Sequence, residues 1–358
     1  MSPRTPLSLS AAALLLTAGA AAHAQLPRVT ERVEVSRVVV DVHVLSGDGR
    51  PLRGLGPDDL RVRVDGRPVR IESVRWTPES VAVREPSGAA AELTAPSSGA
   101  LALPRGRQVV LLFQRDLEPS RMEGLMAMRQ RAEDLLDSLA PEDRAAVASF
   151  DYHLELWTDF TADQALLRPI LDRSIFFAGR PDGTAAPSPA AAGTPSLLPA
   201  IDLEAGRRAS TMEQALVVLG RALDSVPGSK ALVIFGHGFG RIVTPAGSGQ
   251  LGVGFDAEYA EARRLLIRAR TAVYCLDLTR ADSHTLEAGL MRVAEDTGGF
   301  YARTHEFPGR AMSRLGEALS GHYELTFEKP DLPQGEHAIR VELIGRPGIV
   351  LARRSYVG

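Results

Sequence analysis

Residues 109–113 read Val-Val-Leu-Leu-Phe, an uninterrupted run of five apolar side chains. Such a run is typical of a strand covered on both faces, because a half-exposed strand alternates apolar and polar residues. Similar runs recur at residues 231–235 and 272–276, and amphipathic helical segments separate them. This alternation predicts an α/β domain over residues 105–320, with an open, mostly parallel sheet and helices on both faces.

Both ends of the chain are predicted to be β structure. Residues 32–45 and 60–64 are rich in β-branched side chains that mostly alternate with polar ones. The tail is predicted to form three strands of one antiparallel layer, at residues 323–327, 337–344 and 350–356. The flanking segments 25–78 and 321–358 could form one β-sandwich together, because a three-stranded sheet alone buries too little apolar surface to be stable.

Two stretches have no periodicity. Residues 79–104 are rich in Ala, Pro, Ser and Gly, and we interpret them as a linker. Residues 178–208 have a similar composition and are predicted to be a second loop.

The first 24 residues predict export. Arg4 supplies positive charge, an apolar run follows at residues 7–22, and Ala22-His23-Ala24 has the small residues of a cleavage site. This is the layout of a signal peptide with cleavage before Gln25, so we expect a periplasmic or secreted protein. A membrane anchor is the alternative, but the run lacks the roughly 20 strongly apolar residues of a spanning helix. No later stretch is apolar enough to span a bilayer, so no transmembrane segment is expected after cleavage.

Composition excludes several classes of protein. The chain has 41 basic and 44 acidic residues, a net charge of −3, which argues against nucleic-acid binding. Cys275 is its only cysteine, so an intramolecular disulfide is impossible, and its apolar neighbours predict a buried thiol.

We predict no catalytic residues and therefore no enzyme. The sequence has no His-Glu-x-x-His zinc motif and no nucleophile-elbow spacing. The run Gly236-His-Gly-Phe-Gly240 follows a predicted strand, but it lacks the Lys-Ser/Thr of a phosphate-binding loop. We interpret it as a flexible surface loop. His237 could line a ligand crevice there, although a surface histidine is the more common case.

Several short runs occur in an ordered series along the chain. They are Val-Val-Val-Asp-Val at 38–42, Gly-Leu-Gly-Pro-Asp-Asp-Leu at 54–60, Leu-Ala-Pro-Glu-Asp-Arg-Ala-Ala-Val at 139–147, Phe-Thr-Ala-Asp at 160–163 and Ala-Glu-Asp-Thr-Gly-Gly at 294–299. In this order they resemble the exported VWFA-related proteins of acidobacteria, which carry a von Willebrand factor type A-like domain. The resemblance implies a Rossmann-like open sheet and a role in adhesion or protein binding, with a protein partner that it does not identify.

The resemblance also implies a possible Mg²⁺ site. Type A domains use an Asp-x-Ser-x-Ser motif after the first strand, a later Thr, and an Asp after a further strand. Here Gln114 has the first Asp position, and Gly236 begins the loop where the last Asp is expected. The candidate ligands are therefore Asp116, Glu118, Ser120 and Thr211. The alternative is that these residues cap helices, which their side chains commonly do. We expect a degenerate site and no bound cofactor.

Three functions follow from these observations. We favour a non-enzymatic protein-binding module that uses loops at the end of the sheet, with Gln114, His237 and Phe239 as candidate partner contacts. The first alternative is a structural component of a cell-envelope assembly. The second alternative is an adhesion domain that requires a divalent metal.

Overall fold

The computed structural model describes residues 36–78, 106–116, 118–176, 194–244 and 251–358. The predicted signal peptide, the predicted linker and most of the second predicted loop lie outside the described residues.

The described elements alternate in the way that the apolar runs predict. The strands are β1 (Arg37–Leu45), β2 (Leu60–Val64), β3 (Arg67–Val69), β4 (Ile71–Pro78), β5 (Gln108–Gln114), β6 (Arg144–Phe150), β7 (Leu154–Thr161), β8 (Lys230–Gly236), β9 (Arg241–Val243), β10 (Gly252–Gly254), β11 (Thr271–Asp277), β12 (Tyr301–Arg303), β13 (Gly321–Glu328), β14 (Glu336–Leu343), β15 (Ile349–Ala352) and β16 (Ser355–Val357). The helices are α1 (Pro119–Asp137), α2 (Gln164–Phe176), α3 (Leu203–Arg208), α4 (Met212–Asp224), α5 (Ala257–Arg268), α6 (Glu287–Thr297) and α7 (Pro308–Ala318).

The central sheet has the strand order β12-β11-β8-β5-β6-β7. Its strands are parallel except for β7, which pairs antiparallel with β6. Every residue of β5 and of β8 is buried, because helices cover both faces. One face packs against α4, α5 and α6, and the other packs against α1, α2 and α7. The predicted α/β fold class with an open, mostly parallel sheet is confirmed.

The two chain ends form a sandwich of two antiparallel sheets. Their strand orders are β15-β1-β13-β4 and β16-β14-β2-β3, so each sheet combines strands from both ends of the chain. Alternate valines of β1 and β2 point into a common core with Tyr323 and Phe327 of β13. The last residue of β4, Pro78, pairs with the first residue of β13, Gly321. The central domain is therefore inserted between two neighbouring strands of one sheet.

The structure corrects two predictions about elements. The predicted strand at 350–356 is two strands, β15 and β16, which belong to different sheets because the chain crosses between them. The tail is therefore not one antiparallel layer. Part of the loop predicted at 178–208 is helix α3, which Asp202 caps by accepting a hydrogen bond from the backbone of Ala205. Beyond residue 240, a further short antiparallel pair, β9–β10, adds to the elements predicted from the sequence.

A partly buried ionic cluster joins the sandwich to the central domain. Arg270, which precedes β11, donates from Nε to Asp41 Oδ2 of β1 at 2.9 Å. It also donates from Nη2 to Glu324 Oε1 of β13 at 2.9 Å. Burial alone would raise the pKa of Asp41, but His322 and Arg270 hold it well below its usual range. This cluster fixes the sandwich against the amino-terminal edge of the parallel strands, opposite the carboxyl ends.

Two further predictions concern single features. Cys275 is buried in β11, as predicted, and burial raises the pKa of its thiol. Among the described residues, no helix is long and apolar enough to cross a membrane.

Candidate functional site

A cleft of about 650 Å³ lies at the carboxyl ends of the parallel strands. The ends of β5 and β6 and the loop after β8 form its floor, and the starts of α1 and α4 form its sides. Parallel α/β sheets bind ligands at this edge, because the loops diverge there and leave a crevice. The volume is within the range of protein ligand sites, about 300–1,000 Å³.

Gln114 joins two walls of the cleft. Its Nε2 donates to the backbone carbonyl of Gly238 at 2.7 Å, and its Oε1 accepts from the backbone N–H of His237 at 3.0 Å. Both polar ends of this buried amide therefore hold the loop after β8 against the end of β5. Gln114, a predicted partner contact, therefore lines the cleft, but the hydrogen bonds of its side-chain amide are made within the protein.

The loop after β8 is buried, so the prediction of a flexible surface loop at 236–240 is wrong. His237 is only 8% exposed and Phe239 only 4%, and the ring of Phe239 packs near Tyr259. The cause is tertiary packing: the backbone N–H of Phe239 donates to the carbonyl of Leu286 at 3.2 Å. Burial lowers the pKa of His237 to about 4, so its imidazole is neutral at pH 7.

The candidate metal ligands near α1 hold the start of that helix. Asp116 Oδ2 forms an ion pair with Arg121, and Oδ1 accepts from the backbone N–H of Glu118 at 2.9 Å. Glu118 is the N-cap residue of α1, and its carboxylate accepts from Ser120 Oγ and from the backbone N–H of Arg121. Asp116 lines the cleft, whereas Glu118 and Ser120 are not among the residues that line it.

Thr211 lines the same cleft from the opposite side. Its Oγ1 accepts from the backbone N–H of Gln214 at 3.3 Å, which makes Thr211 the N-cap of α4. The arrangement does not fit the Mg²⁺ site of a type A domain. Gln114 replaces one carboxylate with an amide, and the guanidinium of Arg121 lies on the carboxylate of Asp116, where a cation would bind.

Four charged residues of the cleft were not predicted from the sequence, and one of them is Arg121, the partner of Asp116. Arg115 is 7% exposed and forms an ion pair with Asp151, yet its Nε has no hydrogen-bond partner among the described residues. Glu213, in the first turn of α4, is also 7% exposed. Neither residue belongs to a motif, and only tertiary packing buries them together. Arg115 directly follows a buried strand and Glu213 lies two residues after a helix N-cap, and these positions are the one signal that could have suggested them.

Outside the cleft, three groups of side chains in the described part of the chain have the donor types that metals use. They are Asp41 with His322 and Glu324, Asp277 with His284 and Glu287, and Asp282 with His305 and Glu306. In the first group, Arg270 pairs with both carboxylates. In the second group, Tyr301 contacts Asp277 and Glu287, and Arg303 pairs with Glu287. These contacts give the buried carboxylates partners within the protein.

Comparison with known proteins gives matches to solved structures alone. No protein-family model matches the chain, and no curated protein matches it. The chain is similar to BatB from Bacteroides thetaiotaomicron, with 14% identity over 60% of this chain and 98% of BatB and a TM-score of 0.38. It is similar to a von Willebrand factor type A protein from Catenulispora acidiphila, with 12% identity, 70% and 66% coverage and a TM-score of 0.39.

A third match is proximal thread matrix protein 1 from the mussel byssus, whose metal-binding MIDAS motif is occupied by zinc. The identity is 10%, the coverage is 62% of this chain and 48% of that protein, and the TM-score is 0.37. The chain spans less than two thirds of the second and third structures. Because all three scores are low, the fold assignment rests on the strand order and helix placement described above.

Proposed function

We propose that this chain is an exported, non-enzymatic, type A-like module that binds a protein partner in the cleft, without a bound metal. One observation carries the proposal: the carboxyl ends of the parallel strands enclose about 650 Å³ between apolar walls and a small number of charged groups. Met122, Phe150 and Leu286 contribute to the apolar walls, and Tyr152, which is 82% exposed, lies at the rim. A binding site typically has apolar walls, which provide contact area, and a few polar groups, which orient the ligand.

The contacts of Asp116 support binding without a metal. A partner carboxylate in a metal-dependent site completes the coordination of the ion, which needs acidic ligands that are open to it. Here Arg121 already supplies positive charge to Asp116. The neutral imidazole of His237, with its Nε2 3.5 Å from Asp116 Oδ2, adds no charge of its own.

The hydroxyl groups of the cleft support a role other than catalysis. Thr211 accepts from the backbone of Gln214, and Ser210 Oγ donates to the side-chain oxygen of the same residue at 3.2 Å. Both hydroxyls therefore serve the start of α4. A nucleophile would instead need a base within hydrogen-bonding reach.

Selection from a random peptide library displayed on phage tests the proposal. The purified chain and two variants serve as bait: Ser210→Trp, which places an indole in the cleft from an exposed position, and Ser313→Trp, an exposed position of α7 outside it. We expect the chain and Ser313→Trp to enrich the same peptides, and Ser210→Trp to lose them. Enrichment that is equal on both variants, or absent from all baits, would contradict a binding cleft.

The same baits address the two alternatives. Peptides that bind only with Mg²⁺ present would favour the metal-dependent adhesion domain. Binding that survives Ser210→Trp and maps to the sandwich would favour a structural envelope component.

Export is part of the proposal and is supported by the layout of residues 1–24. Amino-terminal sequencing of the protein recovered outside the cytoplasm is expected to begin at Gln25.

A further inference from the structure

Glu213 is a buried carboxyl group without a basic partner among the described residues. Its side chain lines the cleft and is 7% exposed. Among the described residues, no arginine, lysine or histidine forms an ion pair with it, and the nearby charges that act on it are those of Asp256 and Glu258, both acidic. Burial raises the pKa of Glu213, and these two neighbours raise it further. A buried carboxylate without a cation is costly, so its presence needs a reason.

The other acidic groups of the cleft already have partners. Asp116 pairs with Arg121, and Asp151 pairs with Arg115 and lies 2.9 Å from His153 Nδ1. Glu213 is therefore the acidic residue of the cleft that has no basic partner among the described residues. An incoming cation would stabilise the ionised form of Glu213, which burial disfavours.

The walls next to this charge suit a long aliphatic stem. Met212 and Phe239 are buried side chains that line the cleft together with Glu213. Lysine and arginine bury their methylene groups along apolar surface while the charged end reaches a partner.

We propose that the cleft selects a partner segment that carries a lysine or arginine side chain, whose cationic group pairs with Glu213. The inference rests on the proposed function, because it names the chemistry of the partner that occupies the same cleft. In a metal-dependent adhesion site the partner supplies a carboxylate to a bound cation, whereas here the partner would supply the cation to a carboxylate of the cleft. The binding energy comes from giving Glu213 a counterion within the low-polarity cleft.

The test uses peptides that the purified chain selects from the displayed library. Their sequences are expected to be enriched in lysine or arginine at one position. A synthetic peptide of this kind is titrated by calorimetry beside a copy in which norleucine replaces the basic residue. We expect Glu213→Gln to weaken the basic peptide at least about tenfold, the loss that follows from removing one charged hydrogen bond, and to leave the norleucine peptide unchanged.

Glu261→Gln is the matched control, because Glu261 is an exposed residue of α5 that pairs with Arg221. It is expected to bind both peptides like the unmodified chain. Urea unfolding of Glu213→Gln is expected to show no loss of stability, since the substitution keeps the shape and removes a buried charge. A destabilised variant would instead indicate a structural role for Glu213 and would overturn the inference.

Two other outcomes separate this inference from the function that it rests on. Selected peptides without a basic residue that lose binding to Ser210→Trp but not to Glu213→Gln would overturn the inference and leave the binding function intact. The absence of any cleft-dependent peptide would remove both. Binding of Mg²⁺ alone that Glu213→Gln abolishes, with no effect on peptides, would make Glu213 a metal ligand and would also overturn the inference.

Discussion

Gly238 lies in the wall of the cleft with a φ of +107°, a conformation that side chains rarely adopt. A Cβ atom there would lie 2.4 Å from the carbonyl oxygen of Leu286, so the loop and the helix would have to separate. We expect Gly238→Ala to lower the free energy of unfolding by at least about 1–3 kcal/mol, the usual cost of such strain. Urea denaturation measures this change.

Gly316→Ala is the control for this prediction. Gly316 is a helical position of α7 where a Cβ would meet nothing within 4 Å. The same substitution is expected to stabilise the protein there by about 0.5–1 kcal/mol. Equal effects at both positions would contradict the close packing of the buried loop.

Asp116 leads to a second prediction at the residue scale. Its carboxylate is paired with Arg121 and with the start of α1, so a divalent ion would have to displace a guanidinium. In calorimetric titrations with Mg²⁺, Mn²⁺ and Ca²⁺, the unmodified chain and Asp116→Ala are expected to give the same heats. Saturable binding at one site, lost in Asp116→Ala and in Thr211→Ala, would establish the metal-dependent alternative.

At the scale of elements, helix α4 depends on its N-cap. Thr211→Ala removes the oxygen that accepts from the backbone of Gln214 and is expected to cost about 1 kcal/mol of stability. Thr211→Ser keeps the oxygen and should lose much less. The measurement is thermal unfolding with Mg²⁺ and with EDTA, and the loss is expected to be the same in both. A loss that appears only with Mg²⁺ would show that Thr211 is a metal ligand.

The sequence predicts best the elements that are buried on both faces along their whole length. The buried strands β5, β8 and β11 were predicted at nearly their observed ends, because helices on both faces require apolar residues throughout. The tail was harder to predict. Arg353 donates to the carbonyls of Ile267 and Val39 at the point where the chain leaves one sheet for the other, and local alternation carries no sign of this crossing.

The candidate site was predicted in part for a similar reason. Asp116, Thr211, His237 and Gln114 do line one cleft, since each ends a strand, follows one or caps a helix at the same edge of the sheet. The burial of these side chains and the identity of their partners depend on residues distant in the chain. A single sequence does not show which distant residues are in contact. Glu213 resembles an ordinary acidic residue of a first helical turn, and only the packing of α5 against α4 makes it unusual.

At the scale of the whole molecule, Arg270 holds the sandwich to the central domain. Arg270→Ala would leave the partly buried carboxylate of Asp41 with His322 but without the guanidinium, and we expect it to cost about 1.5–3 kcal/mol, the range for a hydrogen bond to a charged group. Arg268→Ala, which breaks an exposed pair with Asp224, should cost less than about 1 kcal/mol. Urea denaturation compares them, and equal losses would contradict a structural role of the junction.

The same junction predicts a dependence on acid. The pKa of Asp41 is lower in the folded protein than its unfolded value of about 3.9. Its stabilisation is therefore complete above that value and is lost as the pH falls towards the folded pKa, because the unfolded chain takes up the proton first. The stability of the unmodified chain should decline more steeply below about pH 4 than that of Arg270→Ala. Parallel curves for the two proteins would contradict this assignment.

The pairing of Pro78 with Gly321 has a consequence for modularity. The chain departs from the sandwich and returns to it on adjacent strands, so the interval between these residues behaves like the loop of a large hairpin. Domains with neighbouring termini tolerate transplantation. A short turn in place of that interval should leave an autonomous sandwich, and an unrelated domain with closely spaced termini could be grafted at the same point. The sandwich would then act as a scaffold in which one inserted domain could be replaced by another.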